Sequence, residues 1–218
     1  GLVTAEDVDS TSLTFSISGT DLSITSDGTL SFVAAPDYET KSSYSATVTV
    51  SDGELSATQA ITVNVNNLND NAPVFTSSSS FNANENQTSI DTVTASDADD
   101  SSLSFSVSGS ELLITESGVL SFASAPDYES KSSYTATISV TDGLASASQN
   151  ITVNVNNLND NAPVFTSADS FSAAENQIII GTVTASDADG NPVSFAVSGS
   201  ELSISSAGAL TFIAAPDY

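Results

Sequence analysis

Most loop carboxylates of this chain fall in five short motifs, and each motif offers the hard oxygen ligands that a divalent cation takes. A glutamate stands in NEN (Glu85) and AEN (Glu175). Carboxylates follow a proline in DYE or DY: Asp37 with Glu39, Asp127 with Glu129, and Asp217. The run NDN places Asn69, Asp70 and Asn71 together, and again Asn159, Asp160 and Asn161. DxD supplies Asp7 with Asp9, Asp97 with Asp99, and Asp187 with Asp189, while SDG and TDG supply Asp52 and Asp142. Carboxylates, carboxamides and backbone carbonyls in this density suit Ca²⁺, which takes six to eight oxygens at roughly 2.3 to 2.6 Å. Mg²⁺ fits less well, because it dehydrates reluctantly and demands a tight octahedron.

The residue types that are missing narrow the chemistry further. Without cysteine, histidine or methionine there is no zinc site, thiol nucleophile or imidazole base. Asp127 and Glu129 could pair as a glycosidase acid and nucleophile. Their recurrence in every repeat argues against an active site, and the chain reads as no enzyme. With 27 acidic residues against two lysines, the net charge of −25 repels nucleic acid and anionic lipid and draws cations. So acidic a chain could be disordered, but 39% of its residues are hydrophobic and they fall in short alternating runs. No apolar stretch approaches the roughly 18 residues of a membrane helix, so no direct membrane insertion is expected.

What must position the carboxylates is a repeat. The run ITVNVNNLNDNAPVFTS occupies residues 61 to 77 and returns unchanged at 151 to 167, a period of 90 residues. In register this gives a complete unit at 72–161, preceded by 1–71, which lacks its first strand, and followed by 162–218, which lacks its last strands. Units missing strands are expected to fray where edges go unpaired. Within a unit the periodicity is that of strands: Tyr134, Ala136, Ile138 and Val140 alternate with Thr135, Thr137 and Ser139. Runs at 92–97, 103–109, 111–115, 119–123 and 151–155, with an extended segment from Val74 to about Ala83, bring the count to seven strands. Seven short strands with turns every 8 to 12 residues predict an all-β fold of tandem Greek-key, immunoglobulin-like sandwiches. Each would be a rod of about 40 Å, at roughly 3.3 Å per residue.

With AAENQIIIGTVTASDADGNPVSF, APDYE and NNLNDNAPVF in these places, the whole chain resembles the cadherin repeat family. The resemblance implies sandwiches joined by calcium-filled linkers, with about three ions at each complete junction. Carried over residue by residue, the first junction would use Asp37, Glu39, Asn69, Asp70, the Asn71 carbonyl, Asp97, Asp99 and Asp142. The second would use Glu85, Asp127, Glu129, Asn159, Asp160, Asn161, Asp187 and Asp189. By the same mapping Asp7, Asp9 and Asp52 serve a junction upstream, and Glu175 and Asp217 one downstream. The chain departs from the family at Asn67 and Asn157, where the linker usually begins with aspartate. An amide there brings no charge, so one site is expected to be weaker. The compact DADD and DADGNP loops leave Asn191 as the substitute for a backbone ligand of the family.

The implied role is a calcium-dependent extender in a large extracellular surface adhesin. Near-identical repeats, scarce lysine and no cysteine look bacterial, and the absence of tryptophan leaves strand-exchange adhesion unsupported. The partners expected are calcium ions and neighbouring repeats of the same chain. Glycans, identical chains on another cell, and assembly into a filament are the alternatives. Lys41 and Lys131 read as turn lysines rather than as isopeptide donors. Asn86 and Asn150 fit the glycan acceptor pattern, which is short and common. Phe75, Phe81, Tyr128 and Tyr134 read as core and end-cap aromatics rather than as a sugar platform.

Overall fold

The computed structural model describes residues 1–10, 12–99 and 101–217. Asp100, which closes the DADD loop, and the terminal Tyr218 lie outside the described residues. The fold is all-β: β1 (Thr14–Ile17), β2 (Leu22–Ile24), β3 (Leu30–Phe32), β4 (Ser43–Ser51), β5 (Ser56–Asn64), β6 (Val74–Phe75), β7 (Ser80–Asn84), β8 (Ser89–Thr92), β9 (Ala95–Ser96), β10 (Ser104–Val107), β11 (Leu112–Ile114), β12 (Val119–Phe122), β13 (Ser133–Thr141), β14 (Ser146–Asn156), β15 (Val164–Phe165), β16 (Ile179–Thr182), β17 (Ala185–Ser186), β18 (Leu202–Ile204) and β19 (Ala209–Phe212). Among the described residues no helix is long and apolar enough to cross a membrane. The seven strands read from the sequence of the central repeat are present, with the first divided into β6 and β7 and the second into β8 and β9.

Two compact units make up the chain. One comprises Gly1–Thr76 with Ala95–Ser104 and Val140–Ala147, and the other comprises Ser77–Thr94, Phe105–Ser139 and the chain from Ser148 on. In the first, β4 pairs antiparallel with β5 along its whole length and with β1 on its other side, so that Phe15 faces Val50 and Ile17 faces Val48. β2 and β3 form a separate hairpin with Leu22 opposite Phe32. Phe32 meets Tyr44 edge-on at 5.1 Å between ring centres. Leu22 and Val48 are buried, as the alternation of apolar and polar residues dictates.

In the second unit the sandwich is complete. One sheet runs β10-β13-β14-β7 and the other β11-β12-β8. The β14–β7 pair is parallel, with Thr152 to Asn156 against Ser80 to Asn84, so the chain enters the sheet beside its last strand. Phe81, Leu112, Leu120, Phe122, Ile138, Ile151 and Val153 are all buried. Each such side chain contributes about 1.5 to 3 kcal/mol. Phe122 and Tyr134 repeat the edge-on contact of the first unit at 5.0 Å. β8 joins β12 through a register shift at Leu120 and Ser121, just past Gly118. Gly118 has φ +91°, donates to Thr115 O at 2.9 Å and accepts from Val93 N at 2.8 Å; a Cβ there would stand 2.2 Å from Val93 O. Gly28 and Gly208 occupy equivalent positions against Val3 and Val183.

Strand pairing is less complete outside the central repeat. In the third repeat, 170–174 and 194–197 correspond to β7 and β10 but form no strand, and the described residues hold no equivalent of β13 or β14. Phe171 is 38% exposed where its counterpart Phe81 is 6% exposed, and Phe165 is 71% exposed. An open apolar cavity of about 440 Å³, lined by Phe171, Phe195, Leu210 and Phe212 among others, occupies the core position of that repeat. β5 likewise ends at Asn64, whereas β14, which has β7 beside it, continues to Asn156.

Candidate metal centres at the repeat junctions

Two clusters of carboxylates are built by the loops that the strands present. In the first unit one oxygen from each of Glu39, Asp70 and Asp99 lies within 4.8 Å of the others; in the second the same is true of Glu85, Glu129, Asp160 and Asp189. The loops converge through a shared set of hydrogen bonds. Asp99 Oδ2 accepts from Asp70 N at 3.0 Å and Asn71 N at 2.7 Å, and its Oδ1 accepts from Asn71 Nδ2 at 3.0 Å. Asp189 Oδ2 takes Asp160 N at 3.1 Å and Asn161 N at 2.8 Å in the same way. The DxD spacing explains this: Asp97 Oδ1 and Asp187 Oδ1 each fold back onto the N–H two residues on, at 2.9 and 3.0 Å. Such a turn leaves the second aspartate aimed at the linker.

Glu85 is the most enclosed acid, at 2% exposure. Its Oε2 accepts from Tyr128 N at 2.8 Å and its Oε1 from Leu158 N at 2.6 Å. Beside it, Asn161 Nδ2 lies 2.8 Å from Asp160 Oδ1, 3.0 Å from Asp189 Oδ1 and 3.2 Å from Glu129 Oε2. A single amide thus faces three carboxylates, a place suited to a cation. Asn86, in the left-handed region at φ 65°, turns its own amide onto Asp160. Asn176 repeats that conformation at φ 61°. The sequence signal was present in the Glu-Asn pairs, since asparagine is the non-glycine residue that best tolerates this conformation.

In the first unit Asn69 Oδ1, Asp97 Oδ2 and Asp142 Oδ2 are buried and have no hydrogen-bond partner. Asn69 Nδ2 reaches the Asp142 carbonyl at 3.5 Å, and Asp142 Oδ1 accepts from Leu144 N and Ala145 N at 2.7 and 2.6 Å. Three orphaned oxygens among acidic loops are what a missing hard cation leaves behind, since a buried polar atom without a partner is costly. The residues present therefore fit Ca²⁺.

Electrostatics carry the same mark. Burial, with the Glu85 and Asp189 charges, pushes the Glu129 carboxyl above its ordinary 4.5 despite the pull of its own backbone N–H. The Glu39 N–H likewise pulls its carboxyl down, but burial and Asp99 outweigh it and the value is raised. Burial works against Asp99, yet the donors of Asn71, Glu39 and Asp70 hold it below 3.8. The Asn161 amide does so for Asp189.

Other expected residues are not members of the two clusters. Asp37 Oδ1 accepts from Glu39 N at 3.0 Å and Thr40 N at 3.2 Å, so it caps its turn. Asp127 accepts from Glu129 N at 3.1 Å and from Ser130 Oγ at 2.9 Å. The hydroxyls of Thr40 and Ser130 are the largest cause that lowers each. Asp7 Oδ1 accepts from Asp9 N at 3.0 Å, and Asp52 Oδ1 from Leu55 N at 2.7 Å, the geometry of Asp97 and Asp142 repeated one period earlier. Glu175 and Asp217 border one open cleft. Asn159 and Asp9 are exposed. Lys41 and Lys131 are engaged elsewhere: they pair with Asp21 at 2.6 Å and Glu111 at 2.5 Å, over the rings of Tyr44 and Tyr134.

No family model and no curated protein matches the sequence. Solved structures do. Protocadherin gammaB7 EC3-6, from a cis-dimer structure, superimposes with a TM-score of 0.75 at 28% identity over 93% of this chain. The fold is cadherin-like. Extracellular cadherin domains 3-6 of protocadherin gamma B2 give 0.74 at 26% identity over 94% of the chain. Mouse cadherin-23 EC22-24 gives 0.70 at 23% over 94%, and 76% of that chain is covered. The present cadherin-like chain spans 58% and 60% of the two protocadherin chains.

Proposed function

We propose that this chain is a calcium-stiffened extender segment of a large extracellular surface adhesin, most in keeping with a bacterial one, with cadherin-like repeats at 1–71, 72–161 and 162–218. The observation that carries the reading is the trio of buried, partnerless oxygens on Asn69, Asp97 and Asp142, beside the Glu39–Asp70–Asp99 cluster. Calcium would be held by those residues at the first junction and by Glu85, Glu129, Asp160, Asn161, Asp187 and Asp189 at the second. Asp37, Asn71, Asp127 and Asn159 complete the sets that the resemblance implies, with about three ions at each. Asp7, Asp9 and Asp52, and likewise Glu175 and Asp217, would serve the neighbouring junctions. When bound, the ion supplies the positive charge that lets these carboxylates lie together; without it they repel, and the linker slackens.

Adhesion and extracellular placement draw support from the protocadherin and cadherin neighbours, whose solved segments are extracellular cadherin domains. The cis-dimer among them favours one second reading, in which the repeats bind like chains directly. The test is small-angle scattering of this chain, with native mass spectrometry, in calcium and in chelator. Bound calcium with a longer maximum dimension in calcium is expected. An unchanged profile, or no ion retained, defeats the stiffening mechanism, and a calcium-dependent doubling of mass selects the second reading.

A further inference from the structure

The linker asparagines Asn67 and Asn157 each donate a side-chain hydrogen bond to a backbone carbonyl. Asn67 Nδ2 donates to the backbone carbonyl of Asp99 at 3.0 Å, and one period later Asn157 Nδ2 donates to the carbonyl of Asp189, again at 3.0 Å. We propose that these two amides are positioning residues that clasp each linker to the DxD loop of the following repeat, with no ion involved. The geometry is specific. The same aspartates accept from the linker N–H groups of Asp70 and Asn71, or Asp160 and Asn161, through their side chains. The DxD loop is therefore held at both its carboxylate and its carbonyl, by a linker segment only five residues long, 67–71 or 157–161.

Only a donor closes this bond. Aspartate has the same shape as asparagine but is an acceptor alone when ionised, so it would set a carboxylate against a carbonyl. Asparagine at this position thus exchanges a charge for a metal-independent bond. The bond engages only the amide nitrogen, and its role is to keep the linker seated before calcium arrives. The clasp concerns the junctions of the proposed function, but it stands whether or not they hold calcium.

The test is hydrogen exchange of this chain, in chelator and in calcium, read at the N–H groups of Asp70, Asn71, Asp160 and Asn161. The variants are Asn67→Ala with Asn157→Ala, and the isosteric Asn67→Asp with Asn157→Asp. In chelator both pairs should exchange these amides roughly 5- to 10-fold faster than the parent, the effect of about one lost hydrogen bond. Midpoints of global unfolding should fall by no more than roughly 4 to 8 °C per lost hydrogen bond. The alanine pair should also keep the parent's calcium count by native mass spectrometry and its affinity within about 3-fold. Unchanged exchange in chelator overturns the clasp. Loss of an ion in the alanine pair overturns it too, because it makes the amides ligands. A parent that binds no calcium refutes the proposed function alone, and the chelator arm still decides the clasp.

Discussion

Glu85→Gln separates a structural acid from a metal ligand, because the two roles predict opposite dependence on calcium. The side chain is buried and accepts from Tyr128 N and Leu158 N, and it belongs to a cluster of four carboxylates within 4.8 Å of one another. The amide keeps the shape and one acceptor. It turns its NH₂ against one of the two backbone donors and loses a charge-assisted bond, worth roughly 1.5 to 3 kcal/mol. It also removes one like charge, and two unit charges 4.8 Å apart repel by roughly 1 to 3.5 kcal/mol between water and protein-surface dielectrics. In chelator these effects nearly cancel, so the variant should unfold within about 1.5 kcal/mol of the parent. In calcium at about 100 times the dissociation constant, the parent gains about 2.7 kcal/mol per ion, and a variant that no longer binds there forfeits it. For a domain of this size that is a loss of roughly 10 to 20 °C, seen in calcium alone. Thermal unfolding of both proteins in calcium and in chelator is the assay. An equal penalty in both conditions would mean that Glu85 is only a buried hydrogen-bond acceptor, and the metal reading of that cluster would fall.

Gly118→Ala should destabilise by about 3 kcal/mol or more, because it adds backbone strain to a carbon 2.2 Å from Val93 O. Gly143→Ala, at φ +98° with nothing within 4 Å, should cost only about 1 to 2 kcal/mol; equal losses in urea titrations would refute the packing argument. Lys131→Met should cost under about 1.5 kcal/mol, since both its ion pair with Glu111 and its place over Tyr134 are exposed. A double-mutant cycle with Glu111→Gln measures the coupling. In chelator, stability should rise as pH falls toward 4.5. The raised carboxyls of Glu39 and Glu129 take up protons sooner folded than unfolded, and their contribution is complete below 4.5 and lost as pH rises through their folded values. Below 3.8 it should fall again, because the lowered Asp37, Asp99, Asp127 and Asp189 lose theirs as they protonate. Calcium should add less stability at pH 4.5 than at 7, and a flat chelator profile in differential scanning fluorimetry would refute the sign.

The strands were legible because their two-residue period survives in isolation: Ile138 and Val140, and Ile151 and Val153, are buried as the alternation requires. The breaks in the first two strands were not. They depend on contacts distant in sequence, such as Val93 N on Gly118 O and Ser77 N on Thr94 O. Parallel pairing of β7 with β14 was hidden for the same reason, since nothing in Ser80 to Asn84 names its partner. The acidic motifs could be read as ligands from composition and recurrence. Asp37 and Asp127 as turn caps, Asn86 in a left-handed conformation and Asn67 as a donor became visible only once the loops had been brought together.

Both lysines are spoken for, each tied to an acid and laid across a tyrosine ring at the head of a nine-residue strand. Trypsin-like proteases cut after basic side chains, and here they find two targets in 218 residues, neither able to enter a cleavage pocket without first leaving its clamp. A segment made this way would outlast unrelated proteins in a digestive exterior. That durability would come from how few positive charges there are rather than from how tightly the cores are filled.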